Sequence, residues 1–391
     1  MRLSCVLALV GFSAALPAWA VYAPVPEQDQ GKDLVVTLRA GASYDSNIFG
    51  GATDAIGSAV WELAPRISYS ASLTDQTFLA AAYGLTLDQI DRRPGDKLLD
   101  SHDLSLRVAH AFSKTTTIDV NNVFMISRNP ESLLNGVPLN SDQSFDRNQL
   151  DANFSTQLTP KIGTTVKARS VYFKYRSAAL GRSLDRIENL YGVSADYAVL
   201  PELKAVGEYR HQDVFYRKLG EVKNKLSDFA MAGLDYSVAK KLSVSGRAGF
   251  EHREREAESS TTAPYVEFST KYDYAEQSFL TGGYVYTLEE TSDVARFNDS
   301  QVQRFFLSVQ HRVTALITAS GLVGYEPSKL QGRRGQADLA VDTFRFGFGL
   351  TYQPTPNWSL SLTYDYDRVE SDDPFRNLKR ERVGLNAGYS F

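Results

Sequence analysis

Residues 382–391, the last ten of the chain, read RVGLNAGYSF and alternate apolar with polar or small side chains. One face holds Val383, Leu385, Ala387, Tyr389 and Phe391, and the other holds Arg382, Gly384, Asn386, Gly388 and Ser390. A period of two is that of a β-strand whose two faces meet different surroundings. The same alternation runs through nearly all of the chain from residue 34 onward, which predicts an all-β protein.

The connections between these strands alternate in length. Short turns lie near residues 74, 114, 160, 201, 240, 276, 314 and 356. Longer loops are expected near 45–57, 90–101, 128–147, 177–186, 217–225, 254–263, 290–300, 326–340 and 369–380. This rhythm predicts about 18 antiparallel strands, within a range of 16–18, and an even count with alternating turns and loops is typical of bacterial outer-membrane barrels.

The residues on the two faces of the strands indicate which solvent each face meets. In one segment Phe344, Phe346 and Phe348 alternate with Arg345, and in the next Asp365 and Asp367 alternate with aromatic side chains. Arg and Asp are costly in lipid, so the polar faces are expected to line an aqueous lumen and the apolar faces to meet lipid. Residues 34–391 are therefore predicted to form a transmembrane antiparallel outer-membrane β-barrel. The alternative, a soluble β-sandwich or propeller, would need evenly spaced turns.

The N-terminal region has the pattern of a secreted protein. Arg2, an apolar run and the sequence Ala18-Trp19-Ala20 predict a signal peptide over residues 1–20, cleaved after Ala20. Residues 21–33 are polar and contain proline, and we expect a disordered periplasmic lead-in there. The alternative is an N-terminal membrane anchor, but the apolar run is short for a membrane-spanning helix. The predicted location is the bacterial outer membrane.

The amino-acid composition argues against several kinds of functional site. Cys5, the only cysteine, lies in the predicted signal, so we expect neither disulfides nor thiolate metal sites in the mature chain. A formal net charge of −4 argues against nucleic acid as a partner. Four of the five histidines, His110, His211, His252 and His311, fall on outward faces, and catalytic motifs are missing from the sequence. We therefore expect no enzyme and no cofactor.

Charged residues on the inward faces are the candidate functional residues. They are Arg39, Glu62, Arg66, Arg107, Lys167, Arg169, Glu208, Arg210, Arg247, Arg304, Arg345, Asp365 and Asp367. Their mixed signs predict a hydrated conduit with weak charge preference, since a ladder of one sign would indicate an ion-selective pore. Pairing with each other across neighbouring strands is the alternative to contact with a solute. The loop at 129–147 is expected to be either a surface loop or a constriction folded into the lumen.

The segment Tyr44-Asp45-Ser46-Asn47-Ile48-Phe49 resembles the opening of a β-barrel porin family that includes proteins of exopolysaccharide operons. The resemblance implies a passive outer-membrane port for polysaccharide that works with a periplasmic polysaccharide-export protein. A general diffusion porin and a structural or adhesive barrel are the other hypotheses. We expect a monomer rather than a trimer. Asp45 and Asn47 could instead cap the turn with their side chains.

The C-terminal aromatic residues predict a route of assembly. Tyr389 and Phe391 resemble the signal read by the barrel-assembly machinery of the outer membrane. Deletion of Phe391 should lower the amount of folded barrel in outer-membrane fractions while the exported chain still reaches the periplasm. Equal amounts of folded barrel with and without Phe391, measured by gel migration of unheated samples, would contradict this role.

Overall fold

The computed structural model describes residues 33–128, 133–134, 137–138, 144–218, 220–239, 241–255, 258–291, 296–333 and 335–391. The predicted signal peptide, nearly all of the lead-in and most of the loop at 129–147 lie outside these residues. In the described part of the chain, no helix is long and apolar enough to cross a membrane.

Eighteen strands form one antiparallel sheet, and a separate two-stranded hairpin lies between two of them. The first strands are β1 (Leu34–Asp45), β2 (Ser58–Thr74), β3 (Thr77–Ile90), β4 (Leu98–Ala111) and β5 (Thr116–Ser127), followed by the hairpin β6 (Leu133–Leu134) and β7 (Val137–Pro138). The middle strands are β8 (Phe145–Thr159), β9 (Ile162–Tyr175), β10 (Arg186–Leu200), β11 (Leu203–Tyr216), β12 (Lys225–Ala239) and β13 (Leu242–Arg255). The last are β14 (Glu258–Ala275), β15 (Ser278–Glu290), β16 (Phe297–Arg312), β17 (Ile317–Gly332), β18 (Leu339–Tyr352), β19 (Trp358–Ser371) and β20 (Leu378–Ser390). Among the residues that the structure describes, three short helices lie in loops: α1 (Ala178–Leu184), α2 (Gly220–Lys223) and a 3₁₀ turn, Pro374–Arg376.

Each barrel strand pairs with its neighbours in sequence, and the first pairs with the last. β1 and β20 run antiparallel from Thr37 opposite Ser390 to Asp45 opposite Arg382, so the sheet closes into a barrel. The backbone N–H of Phe391 also donates to the carbonyl oxygen of Val36 at 2.9 Å. Closure leaves no open sheet edge, and a β-sheet that spans lipid must have none because its backbone groups cannot bond to water there. The prediction of an antiparallel barrel of about 18 strands is confirmed.

Side chains of the segment after Tyr44 stabilise the closure between β1 and β20. The carboxylate of Asp45 accepts hydrogen bonds from the guanidinium of Arg380 on β20, with Nε at 3.1 and 3.0 Å from the two oxygens. Both side chains are buried. The Asp45 carboxylate also accepts from the backbone N–H of Asn47 at 2.9 Å. Asn47 in turn bonds to Gly51 in both directions, with its amide oxygen accepting at 3.0 Å and its amide nitrogen donating at 2.8 Å. The predicted turn-capping role of Asp45 and Asn47 is confirmed. Asp45 also joins the first strand of the barrel to the last.

Apolar inward side chains cluster at the long-loop end of the barrel. One cluster, on β16 to β20, consists of Phe297, Leu330, Val341, Val369 and Leu378, and all five are buried. A second lies beside β1 to β4 and combines Ile48, Val60, Ile90 and Leu99. Both clusters pack beneath the loops, so this half of the rim is held by apolar contacts.

Polar contacts tie the loops of the other half together. Lys223 donates to the backbone carbonyl oxygen of Ser183, and Arg255 donates to that of Lys223 at 3.3 Å. Arg255 reaches the carbonyl oxygen of Asn298 at 3.4 Å, and the Asn298 side chain accepts from Arg333 at 2.7 Å. Successive long loops are thus bonded to one another around the rim.

Several strands extend farther toward the long-loop end than the sequence predicted. β13 continues to Arg255 and β14 begins at Glu258, where a loop over 254–263 was expected. β17 continues to Gly332, inside the loop expected at 326–340. Beyond the lipid the outward face is polar as well, as at Lys329 and Asp342, so the alternation that marks a membrane strand is lost before the strand ends.

The Asp45–Arg380 pair gives a prediction about barrel stability. Replacement of Asp45 by Ala leaves the Arg380 guanidinium buried without this carboxylate, a change that costs about 3–5 kcal/mol in buried pairs. We expect the D45A barrel to unfold at a lower temperature in detergent, followed by gel migration of samples heated in steps. Asp75, exposed in the β2–β3 turn, provides the matched control D75A. Equal unfolding temperatures for the two variants would contradict the role of the pair.

Candidate functional site

The inner wall of the barrel is the strand face opposite the exposed apolar side chains. On β18, Phe344, Phe346 and Phe348 are exposed on the outer face, and Arg345 lies between them on the inner face. The same alternation places all of the predicted lumen residues on inner faces. They are Arg39, Glu62, Arg66, Arg107, Lys167, Arg169, Glu208, Arg210, Arg247, Arg304, Arg345, Asp365 and Asp367. Their contact with a solute stays a prediction.

The first sector of the wall, on β1 to β5, contains ion pairs between strands. The pairs are Arg39–Glu62 at 2.8 Å, Arg66–Asp103 at 2.7 Å and Arg107–Asp119 at 2.5 Å between the closest nitrogen and oxygen atoms. Each joins a guanidinium to a carboxylate of another strand, so the positive and negative charges of each pair compensate each other locally. Asp103 was not among the predicted residues. The alternation of β4 would have found it, because Asp103 has the same phase as Arg107.

The second sector, on β9 to β14, contains a buried network. Glu208 accepts from Lys167 Nζ at 2.9 Å and from Arg210 Nε at 2.8 Å. The same Arg210 reaches Glu267 Oε1 at 3.4 Å, and the hydroxyl of Tyr265 donates to Glu267 Oε2 at 2.6 Å. Glu208, Arg210, Tyr265 and Glu267 are all buried. Two basic and two acidic groups therefore compensate one another within the wall.

Three further arginines of this sector form ion pairs with carboxylates of the wall. Arg247 Nη2 lies 2.9 Å from the carboxylate of Asp235 on the neighbouring strand. Arg253 lies 2.8 Å from Glu251 and also contacts Asp299 of β16. The Arg253–Asp299 contact joins strands that are not neighbours, and periodicity within one strand gives no signal for it. On β8 and β9, Arg169 pairs with Asp151.

The third sector, on β15 to β20, continues the pattern. Arg304 lies between two carboxylates, at 3.0 Å from Glu289 and 2.6 Å from Glu326. Glu289 and Glu326 were not predicted as lumen residues.

On the last three strands the signs alternate across the sheet. Arg345 stands opposite Asp367, and Asp365 stands opposite Arg382 in the strand register. Arg382 Nη2 also reaches Asp367 at 3.1 Å. Opposite charges on directly facing positions stabilise strand pairing.

The histidines lie on the outer face. His211 Nδ1 is 2.8 Å from Asp228, and His252 Nδ1 is 2.9 Å from the hydroxyl of Thr262. His311 stacks on Tyr274 with ring centroids 5.9 Å apart. Among the described residues, no cluster of His, Cys, Asp and Glu is arranged to hold a metal ion. The polar tips of these rings suit the membrane interface, where amphipathic side chains concentrate.

A closed antiparallel barrel of 18 strands with an apolar exterior and a charged, internally paired interior defines a class of protein. It is an outer-membrane β-barrel of the porin-like channel type, located in the outer membrane. The chain belongs to the family described as Putative beta-barrel porin 2, whose model matches residues 35–391.

Solved structures agree with this fold. The FrpB iron transporter of Neisseria meningitidis (F5-1 variant) matches with a TM-score of 0.51 and 9% identity, over 93% of this chain and 82% of that one. The outer membrane protein opdK of Pseudomonas aeruginosa matches with a TM-score of 0.50 and 9% identity, over 92% and 98%. At such identity the likeness shows the fold alone. No curated protein shows significant sequence similarity to this chain.

The buried network predicts a difference between two arginines of the wall. In R210M, Glu208 loses one of its two cations and Glu267 loses its contact with Arg210 while both carboxylates stay buried, which should cost about 3–5 kcal/mol of folding stability. In R39M, a partly exposed pair is lost, and the expected loss of folding stability is about 0–1 kcal/mol. Urea unfolding of the two purified variants, reconstituted in the same lipid, measures both values. A loss as large in R39M as in R210M would contradict this division of the wall.

Proposed function

We propose that this barrel is a passive outer-membrane port through which an exopolysaccharide chain leaves the cell. The observation that supports the proposal best is the internal compensation of charge along the inner wall. Pairs such as Arg39–Glu62, Arg66–Asp103 and Arg304–Glu326 leave no sector of one sign among the residues described. A wall of this kind neither attracts nor repels a neutral or mixed polymer strongly.

The port itself performs no catalysis and supplies no energy in this proposal. The fold and the family are those of channels. The polymer would be driven by its own synthesis or by a periplasmic polysaccharide-export protein that delivers it to the short-turn end. The barrel would act as a monomer in the outer-membrane lipid, inserted by the barrel-assembly machinery after the signal peptide is removed.

Deletion of the gene in the native host tests whether polysaccharide is the exported substrate. We expect secreted polysaccharide to fall and polymer to accumulate in the periplasm, with secretion restored by the wild-type gene. Normal secretion in the deletion strain would refute polysaccharide export.

The competing function is general diffusion of small solutes. Liposomes that contain the purified barrel distinguish the two functions, because a general porin admits mono- and disaccharides at rates that fall steadily with solute size. Rapid size-graded swelling together with normal polysaccharide secretion in the deletion strain would favour the diffusion porin.

A further inference from the structure

The ion pairs of the inner wall differ in their access to solvent. In Arg66–Asp103 the two side chains are 46% and 35% exposed, and in Arg39–Glu62 they are 40% and 27% exposed. In the second sector the side chains of Arg210 and Glu208 are 8% and 1% exposed. Arg253 and Glu251 are 2% and 1% exposed. A solute in the lumen can therefore touch Arg39–Glu62 and Arg66–Asp103 but not Arg210, Glu208, Arg253 or Glu251. Elsewhere on the inner faces of the second sector, the pairs Lys204–Asp196 and Lys271–Asp273 are also exposed, with lysine in place of arginine.

Apolar and aromatic side chains account for part of this difference. Phe229, Met231 and Tyr265 form a buried cluster on the inner faces of β12 and β14. The guanidinium of Arg210 lies over the Tyr265 ring, 5.8 Å from its centroid, and donates to the Tyr265 hydroxyl at 3.3 Å. The region around Arg210 is thus a packed part of the wall, and its charges serve the structure.

A glycine lies between the two residues of the exposed Arg66–Asp103 pair. Arg66 of β2 stands opposite Gly84 of β3, and Gly84 stands opposite Asp103 of β4. The two charged side chains meet across the glycine, and a Cβ atom at residue 84 would lie only 2.2 Å from Asp103 Oδ1. The absence of a side chain at residue 84 therefore permits this pair.

We propose that Arg39–Glu62 and Arg66–Asp103 form a solute-contacting face of the lumen and bind the hydroxyl groups of a sugar chain. Each exposed pair presents a guanidinium donor and a carboxylate acceptor side by side. A hydroxyl group both donates and accepts, so it can bond to both members. An anion would gain from the guanidinium but be repelled by the carboxylate. This inference rests on the proposed function and assigns its sugar contacts to β1, β2 and β4.

The test uses the full-length barrel in planar bilayers, with a KCl gradient and with maltohexaose as a neutral sugar probe. R66Q should shift the reversal potential toward cation preference, and D103N should shift it toward anion preference. The double variant R66Q/D103N should shorten the duration of each block of the channel by maltohexaose about tenfold, because charge-assisted hydrogen bonds to the sugar are replaced by weaker neutral ones. R368Q is the matched control, because Arg368 lies exposed on the outer face of β19 and its loss should change neither reading.

Gly84→Ala provides a second, charge-neutral variant. The new Cβ should displace the Asp103 carboxylate from Arg66, so the maltohexaose block should shorten while the reversal potential stays as in the wild type. Gel migration of unheated samples establishes that each variant is folded before it is measured.

The outcomes separate the inference from the proposed function. Normal conductance with an unchanged reversal potential and unchanged maltohexaose block in R66Q, D103N and the double variant would overturn the inference alone. A folded wild-type barrel that never conducts would overturn both the proposed port and the sugar-binding face.

Discussion

The structure depends on the closure of its sheet between β1 and β20. In lipid, an unpaired backbone N–H or C=O group costs several kcal/mol, so a spanning sheet is stable only when its first strand bonds to its last. Here the backbone ladder from Thr37 to Asp45 meets this demand. The buried Asp45–Arg380 pair adds a side-chain contact at the long-loop end of the same seam. The sequence segment that resembles the porin family thus has a structural role in closing the barrel.

Closure also determines what each side chain meets. Once the sheet is a barrel, odd and even residues of each strand lie in different solvents, and the inner face must contain the charges. Those charges then need partners, because long side chains on neighbouring strands lie close together. The result is a wall with exposed pairs such as Arg66–Asp103 on β2 and β4 and a packed, buried network around Arg210 on β11 to β14. The exposed pairs and the buried network are expected to serve permeation and stability respectively.

Most of the fold was predictable from the sequence, because a period of two is a local property of each strand. The rhythm of short turns and long loops predicted the strand count, and alternation predicted the inward phase of residues such as Arg107 and Arg345. It did not give the pairing of Arg253 with Asp299, which joins strands distant in the barrel and depends on side-chain reach. It also missed the outer ends of β13, β14 and β17, where both strand faces are polar. Nor could it separate exposed from buried ion pairs, since that difference arises in part from the packing of Phe229, Met231 and Tyr265, which lie on different strands.

The central claim is that the barrel is an open channel whose wall is nearly neutral through internal pairing. The most direct test is the reversal potential of the wild-type protein, reconstituted in planar bilayers across a KCl gradient. Stable conductance with a reversal potential close to zero would support the claim. A strongly cation- or anion-selective potential, or a folded barrel without conductance, would contradict it.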